Sequence, residues 1–452
     1  MFSFYQTILV FFPAFGALFL IINLRLMHRM TAIIVSVITF FLSLTLLTYN
    51  SIHYGDLFVL LTTITMPSAL LAGWNSVQKN SLVYYTSILF LESCLLSVFI
   101  SSDVITFYVS FEAALIPLFI LIGLFGGNNS QRASYLLFLY TLLGSLFILI
   151  GLLILILTSG SIYFTVIKFA VNGSYNIAWL LIFFALAVKT PLVPLHMWLP
   201  RAHAEAPVGG SIVLAGLVLK LATFGYLRLL LDILPQSSSH FTPLVQTIAI
   251  ISIIYASLAA LRQVDTKALV AVSSVAHISI VVLGLFSNSL IGLSGAIVLS
   301  FAHGFISPAL FFLIGGVLYD RFHVRIIRYY RGLLNTMPLF TLFFFFATIG
   351  NIGVPLSMNF VGEFLSILGA FERSAVIGSF AAFSVVLAAA YGLWLYARLS
   401  IGRYSPYLLH ASDLNRREFH VLTPWIFLTL FWGLFPSPVL QLIHFSLSSL
   451  LY

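Results

Sequence analysis

Apolar stretches near 20 residues recur from one end of the chain to the other. As a helix, each is about long enough to cross a roughly 30 Å hydrocarbon core. Only 7% of the 452 residues are charged and 61% are hydrophobic, so a soluble core of this size would lack its charged coat. A membrane β-barrel would alternate polar and apolar over about 10-residue segments, whereas these runs are uniformly apolar. The sequence therefore predicts an all-α polytopic membrane protein. About fourteen helices are expected, at 5–24, 31–49, 57–74, 82–100, 104–125, 133–157, 177–198, 208–231, 242–261, 267–287, 290–319, 337–371, 377–400 and 422–446.

The charges that remain sort by side. Loops after odd-numbered helices carry fifteen Lys and Arg, from Arg25 through Lys79, Lys267, Arg321 and Arg325 to Arg417, against Lys168 and Arg373 after even-numbered ones. That asymmetry is a positive-inside pattern. It places both termini opposite the basic loops and reads those loop cations, Lys267 included, as membrane-surface anchors. The net charge of +8 thus reports topology rather than an anionic partner, and nothing points to nucleic acid. The first segment has no basic leader and is expected to be a retained helix rather than a signal peptide.

Several chemistries have no residues to support them. The single Cys94 rules out an intrachain disulfide, a Cys-rich zinc site and an iron–sulfur cluster held by this chain alone. No lysine follows a glycine, so the phosphate-cradling GK[ST] loop is missing. His203 and Glu205 have the H-x-E spacing of a zinc deaminase without its cysteines. His196 and His203 make a poor metal pair across seven residues and intervening prolines. No metal or cofactor is expected on this chain.

Four charges are left at membrane depth: Glu112, Lys189, Lys220 and Glu363. Each costs roughly 2.5–3.5 kcal/mol on insertion scales. They could be structural salt bridges, but buried pairs stabilise poorly compared with apolar packing. The backbone favours function instead. Pro191 and Pro194 have no N–H, which frees the carbonyls of Ala187 and Thr190 around Lys189. Gly350, Gly353 and Pro355 interrupt the twelfth segment before Glu363, and Pro308 is expected to interrupt the eleventh five residues after His303. Discontinuous helices beside a midplane charge are the pattern of transporter ion sites. His277 and His303 lie within spans among serines, and histidine exchanges protons near neutral pH.

An internal repeat is visible at one offset. "VPLHM" (193–197) and "VPLSM" (354–358) stand 161 residues apart, as do two "GLF" triplets. This predicts three N-terminal helices over 1–81, a five-helix unit over 82–235, a second over 236–402, and a loop with a last helix over 403–452. An odd number of helices per unit inverts the second copy across the membrane, giving two inverted five-helix repeats with discontinuous helices 7 and 12.

The residues "FEAALIP" (111–117), "VKTPLVPLHMWLPRAHAEAPVGGSIVLAGLVLKL" (188–221), "DTKALVAVSSVAH" (265–277), "FAHGFISPALFFLIGG" (301–316) and "PLSMNFVGEF" (355–364) resemble the antiporter-like subunits of respiratory complex I. The resemblance implies a proton relay. Glu112 would pair with Lys189, Lys220 would pass protons to His277 and His303, and Glu363 would be the far terminal. An acid at 363 is similar to one branch of the family, whereas the sibling chains 2 and 5 usually carry lysine there. "ATFGY" (222–226) departs from the family's usual Gly-Gly-aromatic-Gly run. NADH, FMN, iron–sulfur clusters and ubiquinone would sit on partner subunits. Partners would be the other membrane-arm subunits, including chains 2 and 5, and membrane lipids. The location would be a mitochondrial inner membrane with the basic loops on the matrix side. A multisubunit Na+/H+ antiporter and a non-conducting membrane scaffold are the competing readings.

Overall fold

The computed structural model describes residues 4–22, 28–48, 53–171 and 173–451. Arg25, counted among the basic loop residues, lies outside them, as do the last residues of the first two predicted spans. Among the described residues the chain is helical, and its only extended pairings are two isolated bridges, Asp103↔Tyr163 and Asp265↔Ile326. Ten helices are long and apolar enough to cross a membrane, or eleven if one bent pair counts as a span. His28–Leu44, Asn176–Lys189 and Pro338–Ile352 are shorter apolar helices. Helix is the expected form, because hydrocarbon offers no partner for a free N–H or C=O. Side-chain caps satisfy the first donors where helices begin: Asp103 accepts from Thr106 N, Asp265 from Lys267 N and Ala268 N, and Ser289 from Gly292 N.

The helices form an inner group and an outer shell. Val208–Leu231, Thr266–Leu285 and Leu290–Phe322 are enclosed by protein along almost their whole length, while Tyr5–Ile22, Ser130–Ser159 and Ala375–Ser400 turn much of their apolar surface outward. Helices apolar on every face are expected in such a bundle. The tightest crossing brings Leu290–Phe311 against Met358–Arg373. A Cβ on Gly362 would stand 2.5 Å from the backbone nitrogen of Leu299, and one on Gly295 would strike the backbone nitrogen of Ser366. Small residues let two backbones meet in this way.

Two predicted breaks are present. Asn176–Lys189 stops at Lys189, and the chain turns through 190–197 before Trp198–Glu205 resumes. Pro338–Ile352 ends at Gly353, whose φ of 76° stops the helix, and Met358–Arg373 follows. The third expected break is not there: Leu290–Phe311 runs straight through Pro308 and continues into a π-helical stretch, Phe312–Leu318. The proline ring packs against Gly216, within 3.0 Å of where a Cβ would stand. Close packing therefore holds the helix where an isolated one would kink. A one-residue interruption falls instead at Ala114, between Val104–Ala113 and Leu115–Phe125, where Pro117 leaves the Ala113 carbonyl without its helical donor. The last predicted helix is also two, Arg416–Leu434 and Ser437–Ser448, bent by 76° around Pro436.

The anchor reading of the loop cations needs correcting as well. Lys267 is buried, with 4% of its surface exposed, and its ammonium donates to the Ala206 carbonyl at 2.9 Å. Arg321 binds Glu418 at 2.7 Å and donates to the Ser412 and Asp413 carbonyls. Arg228 shares Asp232 with Lys168 at 3.1 and 2.7 Å. These cations hold loops and helix ends together because acids lie beside them, which a count by side cannot register.

Candidate functional site: a buried chain of titratable side chains

Five of the six residues picked from the sequence are buried and Glu112 is half-buried; four of them form two neighbouring hydrogen-bonded pairs. Lys220 sits at the middle of Val208–Leu231, with 1% of its surface exposed. Its ammonium donates to the Ala215 carbonyl at 2.7 Å and meets His303 Nδ1 at 3.0 Å. Ala215 belongs to a π-helical stretch, Leu214–Val218, and a second one, Tyr226–Leu231, follows the lysine. Such wide turns leave carbonyls available to a side chain, and they cluster at functional sites. The "ATFGY" departure follows the first stretch and ends on Tyr226, where the second begins.

The His303 ring lies 5.8 Å from that of His277, centroid to centroid. His277 Nδ1 contacts Glu363 Oε1 at 2.9 Å, and its Nε2 contacts the Tyr391 hydroxyl at 3.2 Å. Glu363 follows the second helix break, and its other oxygen faces Gly353 so closely that a Cβ there would collide with it. Lys220, His303, His277 and Glu363 thus follow one another across four helices, of which only Thr266–Leu285 and Leu290–Phe311 are neighbours in sequence. Lys220 with His303 and His277 with Glu363 are two hydrogen-bonded pairs, each able to exchange a proton. Between the two rings no hydrogen bond is made, so a crossing from one pair to the other needs a bridging group such as water.

Lys189 and Glu112 stand somewhat apart. The Lys189 ammonium is buried with no hydrogen-bond partner, and it rests 4.1 Å above the Phe111 ring. Glu112 is the next residue, just before the interruption at Ala114, with Oε1 buried and unpartnered. The two charges interact electrostatically but make no contact ion pair. The close pairing implied by the resemblance is therefore looser here. The cation is held by a ring face, and both polar atoms keep an unfilled hydrogen-bonding capacity.

Sequence reasoning missed three buried groups. Tyr391 supports His277 from the Ala375–Ser400 helix; a hydroxyl in an Ala-rich span was the available signal. Glu92 is fully buried and accepts from Thr39 Oγ1 at 2.7 Å; its mid-span position marked it as clearly as that of Glu112. Lys267 was hidden by its place near a helix start. His196 faces Tyr255 and His203 stacks on Phe311, so the two do not converge on one point. Among the described residues no group of three or more His, Cys, Asp or Glu is placed to hold a metal ion.

Residues 101–388 match the family described as NADH:quinone oxidoreductase/Mrp antiporter, TM. NADH-ubiquinone oxidoreductase chain 4 of Mycosarcoma maydis is 52% identical over 398 residues, covering 87% of this chain and 82% of the relative. The chain belongs to the NADH-ubiquinone oxidoreductase chain 4 family. A relative of the same name from Marchantia polymorpha is 42% identical, over 87% of this chain and 80% of its own. Among solved structures, a chain of respiratory complex I from Thermus thermophilus with bound NADH superposes with a TM-score of 0.90 at 28% identity, covering 99% of both chains. A chain of the Mrp complex from Dietzia sp. reaches 0.89 at 17% identity over 99% of this chain and 98% of its own, a likeness of fold alone. Family members are thus subunits of a multi-pass membrane enzyme complex, consistent with the long apolar helices described above.

Proposed function

We propose that this chain is the proton-translocating membrane-arm subunit of an NADH:ubiquinone oxidoreductase. Protons pass through Glu112, Lys189, Lys220, His303, His277 and Glu363, driven by redox chemistry in partner subunits. The observation that carries this reading is the contact of Lys220 with His303 and of His277 with Glu363 at hydrogen-bond distance, all four side chains being buried. A lysine and a carboxylate at that depth are costly, and two histidines between them give the proton intermediate stations. Changing the separation of Glu112 from Lys189 alters how firmly that lysine holds its proton. A push at that end then releases a proton into the chain.

In this reading NADH, FMN, iron–sulfur clusters and ubiquinone are handled by partner subunits. The partners are other membrane-arm subunits, among them the sibling chains 2 and 5, with lipid around the outer shell. The membrane is the mitochondrial inner membrane, with the basic loops on the matrix side. We read 82–235 and 236–402 as inverted five-helix repeats. The Asp103↔Tyr163 and Asp265↔Ile326 bridges support this, since they recur at nearly the offset of "VPLHM" and "VPLSM". A Na+/H+ antiporter subunit is the second reading, favoured by the fold shared with the Mrp complex chain.

Lys189→Ala and Glu112→Ala are expected to abolish or severely reduce NADH-driven proton pumping in proteoliposomes while the assembled complex remains detectable. A normal number of protons per electron in an assembled Lys189→Ala complex would favour the scaffold. Native complex free of flavin and iron–sulfur absorption would favour the antiporter.

A further inference from the structure

A cavity of about 800 Å³ opens at one end of the bundle, where residues 126–127, 204–208, 319–325 and 412–418 approach one another. Its walls carry both signs of charge, with Lys79, Glu205, Asp320, Arg325 and Glu418 among the lining residues. Lys267, Ala206 and Gly315 also line it. The Lys267 side chain runs through the space that a Cβ on Gly315 would occupy, so the glycine makes room for it. The ammonium makes one hydrogen bond, to the Ala206 carbonyl at 2.9 Å.

His203 lies three residues before Ala206 on Trp198–Glu205. It is fully buried and stacked on Phe311 with ring centroids 4.4 Å apart. Neither of its ring nitrogens has a hydrogen-bond partner in the protein. It interacts electrostatically with Lys267 and with Lys220, and His303 interacts with it in turn. His303 Nε2, on the edge away from the Lys220 contact, is likewise buried and unpartnered.

A packing role explains the stack on Phe311 but not the two bare nitrogens. A phenylalanine would stack equally well without them, whereas an unsatisfied buried polar group costs about 1–3 kcal/mol. Capping the end of Trp198–Glu205 explains one bond of Lys267 but not the glycine that draws it into the bundle beside His203.

We propose that Lys267 and His203 form a proton uptake branch leading from this cavity to the Lys220–His303 pair. The proposal rests on the relay reading above and adds the side from which that relay is filled. A neutral Lys267 takes a proton at Nζ from a hydronium ion in the cavity, leaving water. The resulting ammonium gives one proton, through water, to the bare ring nitrogen of His203. The N–H on the opposite ring nitrogen then leaves toward His303 Nε2 or Lys220 Nζ. One proton goes in and one goes on, only N–H and O–H bonds change, and the His203 tautomer resets before the next transfer.

The test uses the assembled complex in proteoliposomes and reads protons translocated per NADH oxidised. His203→Phe, which keeps the stack, and Lys267→Met are expected to lower that ratio to the value given by Lys220→Met. A purely structural role would reduce the amount of assembled complex and leave the ratio intact. Should Lys220→Met lower the ratio while His203→Phe or Lys267→Met leaves it at the wild-type value, the uptake branch is wrong and the relay stands. Should all three leave it unchanged, the relay reading fails first. If His203→Phe or Lys267→Met does not assemble, Gly315→Ala gives the decision. It forces Lys267 Cε, which the new Cβ would strike, out of its position without removing either titratable group, and a wild-type ratio there overturns the branch.

Discussion

In reconstituted complex, Lys220→Met is expected to stop proton movement through this chain. Methionine matches the length and apolar stem of lysine, so the enclosed Val208–Leu231 span can keep its packing. What it removes is the only group joining the Ala215 carbonyl to His303 Nδ1. Positioned proton donors and acceptors contribute about 10²–10⁴-fold to transfer rates, so flow through the chain should fall by at least about 10²-fold. His303 is left with a second unpartnered nitrogen at a cost of about 1–3 kcal/mol, which a bundle of this size can absorb. The measurement is protons per NADH at matched amounts of assembled complex. A wild-type ratio would show that Lys220 only ties its helix to the His303 helix.

Gly362→Leu is expected to act before any chemistry, by preventing assembly. The glycine faces the backbone of Leu299, with 2.5 Å to its nitrogen for even a single added carbon. Backbone atoms cannot swing aside as a flexible side chain can. Overpacking usually costs about 1–3 kcal/mol, and a branched side chain pressed against a main chain should reach the upper end of that range or exceed it. The amount of intact complex on a native gel should then drop by roughly 10-fold or more, since 1.4 kcal/mol is a factor of ten. Gly362→Ala should be milder, though still damaging. Near-normal assembly of the leucine variant would mean that the two helices can separate freely.

Much of this could be read from the sequence, and the reasons it could or could not are specific. A charge in an apolar run is conspicuous, so Glu112, Lys189, Lys220 and Glu363 stood out. Prolines and glycines placed the breaks at 190–197 and 353–357. The failures came where neighbours decide the outcome. Pro308 does not break its helix because Gly216 makes room for the proline ring. The π-helical stretches around Lys220 carry no local signature, because ordinary residues such as "LAGLV" and "YLRLLL" form them under packing. Lys267 looked like a surface anchor because a basic residue at a helix start says nothing of what closes over it. The order Lys220–His303–His277–Glu363 differs from chain order, and a one-dimensional reading cannot recover it.

Lys220, His277 and His303 each fall near the middle of their own helix. The proposed relay therefore runs from helix to helix across the bundle, more than along any one of them. A unit charge crossing a membrane potential exchanges about 2.3 kcal/mol with it per 100 mV, but only in proportion to the depth it traverses. Steps between side chains at similar depth do almost no electrical work, so the voltage neither drives nor opposes them. The electrical load falls on the limbs that connect this chain to the two aqueous phases. Those limbs, and not the lateral hops, are where a rising membrane potential would slow the pump.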